Sequence, residues 1–345
     1  MPRGRGGVSL TLKDVAQEAG VSYQTVSRAL NGSPEIKPGT RARVLAVAER
    51  LGYHPNRLAG SLRTSRSKVI GLVMSDVENF FFAEVVSSVE AGARDRGYSV
   101  ILANSAEDIE RERLAVASLI ERRVDGLIIA PAEGDHAYLA RALPKSFPLV
   151  AINRMIESVP CSAVLTENEA GAKEAVQYLI ARGHSRIGAV IGSSGLMTSR
   201  ERFAGFSAAM REAGLPIRAE WIGTGGLRPE GGRMAATKIF ARVDRPTALF
   251  ASSNKIAEGV LVALGELGLR HGRDVEVIGF DNAVWARLVD PPVPVIAQPT
   301  AQIGFDAVRL LIDVIDGEVR APRILRLPAR LITNLPADLR SLATA

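Results

Sequence analysis

From Val69 onward, short apolar runs alternate with stretches of helical periodicity, and no other feature narrows the possible folds as far. The runs are VIGLVM, SVILAN, GLIIA and PLVAIN, after which the cycle restarts with SAVLT, RIGAVI, ALFAS and VEVIGF. Between them the spacing of apolar residues predicts helices over 81–96, 110–122, 170–182, 201–213 and 256–267. Runs without polar alternation are buried on both faces, and strands separated by helices pair in parallel. Two cycles therefore predict two doubly wound α/β lobes with parallel sheets, for which 345 residues at 47% hydrophobic content suffice. Ligands of such sheets sit beyond the carboxyl ends of the strands. That rule selects Asp76, residues 79–82, Asn153, residues 193–203, Ser253, Asn254 and Asp281.

The residues before Val69 have a different character. Residues 1–68 carry 12 Lys+Arg against 4 Asp+Glu, whereas the whole chain carries a net charge of +6, so the body is slightly acidic. A basic block with helical periodicity suits a polyanion, because each phosphate contact releases counterions. In TLKDVAQEAG, Leu12, Val15, Ala16 and Ala19 share one helical face, with Thr11 as N-cap, Asp14 three positions on and Gly20 as the stop. In VSYQTVSRALNG, Ser22 caps a second helix with Val26, Ala29 and Leu30 on one face and Tyr23, Gln24, Ser27 and Arg28 on the other. Pro38 opens a third helix with an apolar stripe of Val44, Leu45, Ala48 and Leu51, ending at Gly52. Two helices joined by a glycine-bearing turn, followed by a third, form a helix-turn-helix layout, whose second helix enters the major groove. Gln24 and Arg28 are side chains able to make paired hydrogen bonds to adenine or guanine edges.

The segment TLKDVAQEAGVSYQTVSRALNG, followed by GYHPNRLAGSL, resembles the headpiece of the LacI/GalR family of bacterial transcriptional repressors. The resemblance implies base contacts by Tyr23, Gln24 and Arg28, and phosphate or positioning contacts by Ser22, Thr25, Ser27, Asn31 and Thr40. PNRLAGSL then matches a hinge helix that folds in the minor groove, with Leu62 as the wedge between base steps and Asn56, Arg57 and Ala59 near the groove. By composition alone the same segment reads as an interdomain linker: so short a helix is marginal in water, and Gly60 weakens it further.

The likeness continues through RVDGLII, ARGHSRIG, RERFAGF, RPTALF and VIGFDN. It implies an effector core similar to type I periplasmic sugar-binding proteins, in which the chain passes three times between the lobes. The expected divisions are a headpiece at 1–54, hinge and linker at 55–68, a first lobe at 69–166 with 295–320, and a second at 167–294 with 321–335, the RILRLPARLI strand included. Arg202 and Asp281 match the family's effector-contacting arginine and carboxylate; Asn153 and Ser253 match sugar-contacting positions, and Phe82, Thr198 and Leu227 match lining positions. Taken without the resemblance, Arg202 suits a salt bridge to a neighbouring helix and Phe82 suits plain core packing. Where relatives show Asn-Asp after the ALFAS strand, this chain has Ser253-Asn254-Lys255, which loses a carboxylate, gains a cation and favours a sugar acid or sugar phosphate. Leu196 stands where purine-responsive members use an arginine, which disfavours a purine.

A repressor of this kind is expected to bind palindromic operator DNA as a homodimer, the predicted helix over 81–96 being the candidate interface. Only LPADLRSLATA follows the last strand, so no tetramerising heptad helix is expected. Whether the effector acts as inducer or corepressor is open. The alternative, a solute-binding protein without DNA function, needs an export signal, and MPRGRGGVSL has no apolar stretch. Together with the lack of an 18-residue apolar run, that start predicts a cytoplasmic protein with no membrane contact. Neither G-x-G-x-x-G, a Walker run nor G-x-S-x-G occurs, so no catalysis and no cofactor is expected. The single cysteine, Cys161, excludes an intramolecular disulfide, and four scattered histidines predict no metal site.

Overall fold

The computed structural model describes residues 10–30, 33–53, 66–318 and 322–333. The chain divides into two units, Met1–Ser67 and Lys68–Ala345. Asn31, Asn56, Arg57, Ala59 and Leu62, and with them the expected hinge helix, lie outside the described residues.

The first unit holds α1 (Leu12–Ala19), α2 (Tyr23–Leu30) and α3 (Pro38–Leu51). The Thr11 N–H and hydroxyl both donate to Asp14 Oδ2, at 2.6 and 2.7 Å, fastening the first turn of α1. The hydroxyl donor, ahead of the backbone one, holds the Asp14 carboxyl below the usual carboxylate range. Gly20 ends α1 at φ +64°, a left-handed conformation that aims the Val21 N–H at the Ala16 carbonyl and turns the chain into α2. Val15, Ala16, Ala19, Val26, Ala29, Val44, Val47, Ala48 and Tyr53 form the core. One member of the expected α3 stripe changes, Val47 taking the place of Leu45. Leu45 is 46% exposed and Val47 is buried, because three helices enclose a narrow core that only one side of α3 reaches.

The second unit contains two six-stranded sheets. The first lobe runs β1 (Val69–Met74), α4 (Phe80–Asp95), β2 (Ser99–Asn104), α5 (Ile109–Glu121), β3 (Gly126–Ile129), α6 (Leu139–Ala142), β4 (Leu149–Ile152) and β5 (Ser162–Thr166). The second follows with α7 (Asn168–Ala181), β6 (Ile187–Ile191), α8 (Met197–Glu212), β7 (Ile222–Thr224), α9 (Pro229–Phe240), β8 (Ala248–Ala251), α10 (Asn254–Glu266), β9 (Glu276–Phe280) and β10 (Val295–Ala297). The chain then forms α11 (Thr300–Ile315), β11 (Ile324–Leu327) and β12 (Arg330–Ile332). The sheet orders are β11-β5-β4-β3-β1-β2 and β12-β10-β9-β8-β6-β7, parallel throughout except that β12 runs antiparallel to β10. Both orders reverse at one point, between β1 and β3 and between β6 and β8, and open a crevice there. Helices cover both faces: α4 and α11 pack beneath Ile70, Leu72 and Met74, while α5 covers Val73, Leu127 and Ile129. In the second lobe α7 and α8 cover Ile278 and Phe280, and α9 and α10 cover Val277 and Leu249.

Two expectations change. The boundary set at residue 295 moves to about residue 298, because β10 hydrogen-bonds to β9 and stays in the second sheet, and only α11 packs on the first lobe. The RILRLPARLI stretch is two strands: β11 pairs with β5 of the first sheet and β12 with β10 of the second. Pro328 has no N–H to continue a ladder, so the run breaks there and each half finds its own sheet. The unit β7–α9 went unanticipated: IGT is three residues long, and α9 opens with Pro-Glu-Gly-Gly, a poor helix signal on local grounds. Those glycines serve packing. A Cβ on Gly232 would lie 2.5 Å from the Ile256 carbonyl oxygen, and one on Gly259 would lie 1.9 Å from that of Pro229, so α9 and α10 meet backbone to backbone. Gly259→Ala is therefore expected to lower stability by about 1–3 kcal/mol, read as a lower Tm of the full-length protein, whereas Gly265→Ala, whose Cβ meets nothing within 4 Å, leaves Tm unchanged or raises it.

Candidate functional site

Two sites emerge, one in each unit. On α2, burial of Val26 and Ala29 turns the opposite face to solvent: Tyr23 is 51% exposed, Gln24 and Arg28 are exposed, and Ser27 is half-buried. Ser22 caps the helix, its Oγ accepting the Thr25 N–H at 3.1 Å and lying 2.9 Å from the Thr25 hydroxyl. These two hydroxyls therefore hold the helix start in place. Thr40 is half-buried in the first turn of α3. The Arg28 guanidinium lies 3.0 Å from the Glu35 carboxylate, with both side chains exposed.

The second site lies between the lobes, where residues following the strands converge. Arg202, on α8, is 6% exposed. Its Nε donates to Asn168 Oδ1 at 2.9 Å, another nitrogen donates to the Ser252 carbonyl at 2.6 Å, and the guanidinium lies 3.7 Å from the Phe280 ring centroid. Burial lowers its pKa to about 10, opposed by the nearby Asp281 charge, so Arg202 remains a cation at neutral pH. Asp281 follows β9 at φ +73°, with Oδ1 accepting from Gln298 Nε2 at 2.5 Å. Asn153 follows β4 at φ +65°, and its buried Oδ1 has no hydrogen-bond partner. Left-handed backbone at both residues turns short polar side chains back toward the crevice, a conformation that asparagine and aspartate tolerate.

Around these stand charges that cancel. Arg154 pairs bidentately with Glu107 at 2.7 and 2.8 Å, and Asp76 and Lys255 complete the lining. Phe82, Asn153, Thr198, Arg202, Leu227, Ser253 and Asp281 all line one cavity of about 60 Å³. That volume holds about two waters, so a larger ligand requires the lobes to part. Phe82 also packs edge-on against Phe81 at 4.9 Å and belongs to the first-lobe core, which makes it both wall and core. Asn254 is not in the lining: its Nδ2 reaches across to Asn79 Oδ1 at 2.8 Å and ties the lobes together. Glu107, Arg154 and Gln298 line the cavity and were missed. They follow β2, β4 and β10, so the strand-end rule, applied to every strand, would have found them.

The model described as periplasmic binding proteins and sugar binding domain of LacI family matches residues 67–335, and that of bacterial regulatory proteins, lacI family, matches residues 11–56. The chain belongs to the lacI family. Among similar curated proteins, the HTH-type transcriptional repressor PurR of Pectobacterium carotovorum is 36% identical over 93% of this chain and 95% of the relative. Among solved structures, a Burkholderia thailandensis protein described as a ribose operon repressor is 57% identical over 78% of this chain and all of that one, with a TM-score of 0.74. The lac repressor dimer bound to operator and the anti-inducer ONPF is 28% identical over 95% of this chain and all of that one, with a TM-score of 0.83. This lacI-family chain is accordingly a DNA-binding transcriptional repressor with an effector-binding domain, and not an enzyme.

The Arg28–Glu35 pair has a consequence for such a repressor. An exposed ion pair contributes only about 0–1 kcal/mol, and the Glu35 carboxylate places a negative charge at the exposed face of α2 that a DNA phosphate would meet. Glu35→Gln is expected to tighten operator binding by up to about fivefold, as measured by fluorescence anisotropy, with unchanged helicity.

Proposed function

We propose that the protein acts in the cytoplasm as a homodimer on a palindromic operator, with an affinity set by a sugar or sugar acid bound between its lobes. The observation that carries the effector reading is the trio at the cleft: buried Arg202, Asp281, and the unpartnered Asn153 Oδ1. A fixed donor fork, a carboxylate acceptor and a planar amide match the paired hydroxyls of a sugar, while aromatic surface covers its apolar face. The lining carries as many acidic groups (Asp76, Glu107, Asp281) as basic ones (Arg154, Arg202, Lys255), a balance that suits a neutral polyol. The relative described as a ribose operon repressor makes D-ribose the first candidate. Leu196, buried in the wall, offers no donor to a purine base.

One observation favours an anionic sugar instead. The Lys255 ammonium, at the cavity wall, makes no ion pair with any described residue. A carboxylate or phosphate on the ligand would meet it.

On the DNA side, Tyr23, Gln24 and Arg28 choose the bases, while Ser22, Thr25, Ser27, Asn31 and Thr40, with the hinge residues Asn56, Arg57, Ala59 and Leu62, position the headpiece. In support, the exposed face of α2 carries the three base-reading side chains together. Among the described residues no helix is long and apolar enough to cross a membrane.

Thermal shift of the full-length protein with D-ribose, D-gluconate and D-ribose 5-phosphate tests the effector reading. D-ribose is expected to raise Tm most; a shift by the two acids alone supports the Lys255 reading, and a shift by purine bases alone defeats both. Selection of bound DNA from a random pool is expected to return a palindrome. Gln24→Ala and Arg28→Ala should each relax discrimination at one base pair per half-site, by about 1–3 kcal/mol.

A further inference from the structure

Two of the charged groups at the cleft, Arg202 and Asp281, are joined by side chains to the segments that cross between the lobes. Asp281 accepts from Gln298, the first residue after β10, and Gln298 in turn accepts from the Thr166 hydroxyl, at the end of β5. Arg202 donates to Asn168 Oδ1 at 2.9 Å, and Asn168 Nδ2 donates to the Thr166 carbonyl at 3.2 Å. Both paths end on one residue. Asn168 also donates to Glu201, which accepts from Arg326 on β11 at 2.9 Å. A single hydrogen-bonded circuit thus includes residues in or next to each of the three crossings between the lobes: 166–168, 298, and Arg326 on the strand that leads into the third.

Resting on the effector reading above, we propose that Thr166, with Asn168 and Gln298, is the element that converts engagement of Arg202 and Asp281 into a change in the angle between the lobes. Thr166 is fully buried and does not line the cavity, so it is a positioning residue rather than a ligand contact. The geometry supplies the reason. Gln298 spends its Nε2 on Asp281 and its Oε1 on Thr166, so a ligand hydroxyl or amine that draws the Asp281 carboxylate toward itself pulls directly on the crossing segment. Asn168 has its Oδ1 committed to Arg202 and its Nδ2 to Thr166 and Glu201, and it behaves in the same way. Coupling between two sites requires an element whose state both of them bias, and the crossing segments are the covalent connections between the lobes.

Two measurements on the full-length protein test this, one of them free of ligand. In hydrogen–deuterium exchange, the Glu167 amide, which donates to the Leu327 carbonyl at 2.9 Å across the crossing segments, reports on the circuit. Asp281→Asn is expected to speed its exchange several-fold in the parent chain and to have no further effect when Thr166 is already Val. Equal acceleration in both backgrounds overturns the proposal whatever the effector is. In the second measurement, D-ribose and the selected operator are the probes. Thr166→Val should keep the Kd for D-ribose and for sugar-free operator within about threefold of the parent, yet reduce the ratio of operator Kd values with and without sugar by about fivefold or more. Thr166→Ser, which retains the hydroxyl, should restore that ratio, and Thr166→Ala provides the same comparison if Val does not fit. A Val and an Ala variant that both keep the full ratio overturn the proposal. If the parent does not bind D-ribose while the exchange result holds, the sugar assignment fails and the coupling circuit stands.

Discussion

The effector cleft is built around a guanidinium that is almost entirely buried. Removing a cation from solvent costs several kcal/mol unless acceptors surround it. Arg202 has an amide oxygen, a backbone carbonyl and an aromatic face, with no carboxylate within ion-pair distance among the described residues. The nearby Asp281 charge partly offsets burial, leaving a group that is charged yet not saturated. Such a group can accept a new partner without first breaking a strong one. The same economy holds for Asn153, whose buried carbonyl oxygen is left unpaired.

These requirements place the site where it is. Acceptors for Arg202 come from α7 and from the end of β8, and Asp281 is held by the residue following β10, so the cleft chemistry depends on strand ends from separate parts of the chain. The sheets bring them together because both reverse their strand order at one point and because the chain crosses between lobes three times. The lobes touch through Asn254 and Asn79 and through Ser193 and Glu133, contacts that a change in lobe angle would break. The neutral bond is worth about 1 kcal/mol and the one to the Glu133 carboxylate about 1.5–3 kcal/mol. A ligand of ordinary affinity can outweigh them.

The DNA-reading unit obeys a simpler constraint. Its core consists mostly of valine and alanine, and its helices are fastened locally by Thr11 with Asp14, by Gly20 and by Ser22. With one side of each helix spent on that core, the other is free to carry polar groups. Hence Tyr23, Gln24 and Arg28 are exposed together, and Arg28 pairs with Glu35.

Periodicity alone determined a good deal of this protein: three small helices, buried parallel strands, two lobes, and most of the residues at the strand ends. Local rules suffice there, because burial on one helix face or on both strand faces is written into the spacing of apolar side chains. It failed where local signal was weak or where partners were distant. The unit β7–α9 has too short a strand and too glycine-rich a helix start to be read locally, and its glycines make sense only against α10. Which sheet β10, β11 and β12 join depends on hydrogen bonds to strands far away in sequence, as does the departure of Asn254 from the cavity wall. Gln298 and Thr166 are 132 residues apart and carry no motif; only the folded chain, by bringing three crossing segments into one circuit, decides that they meet.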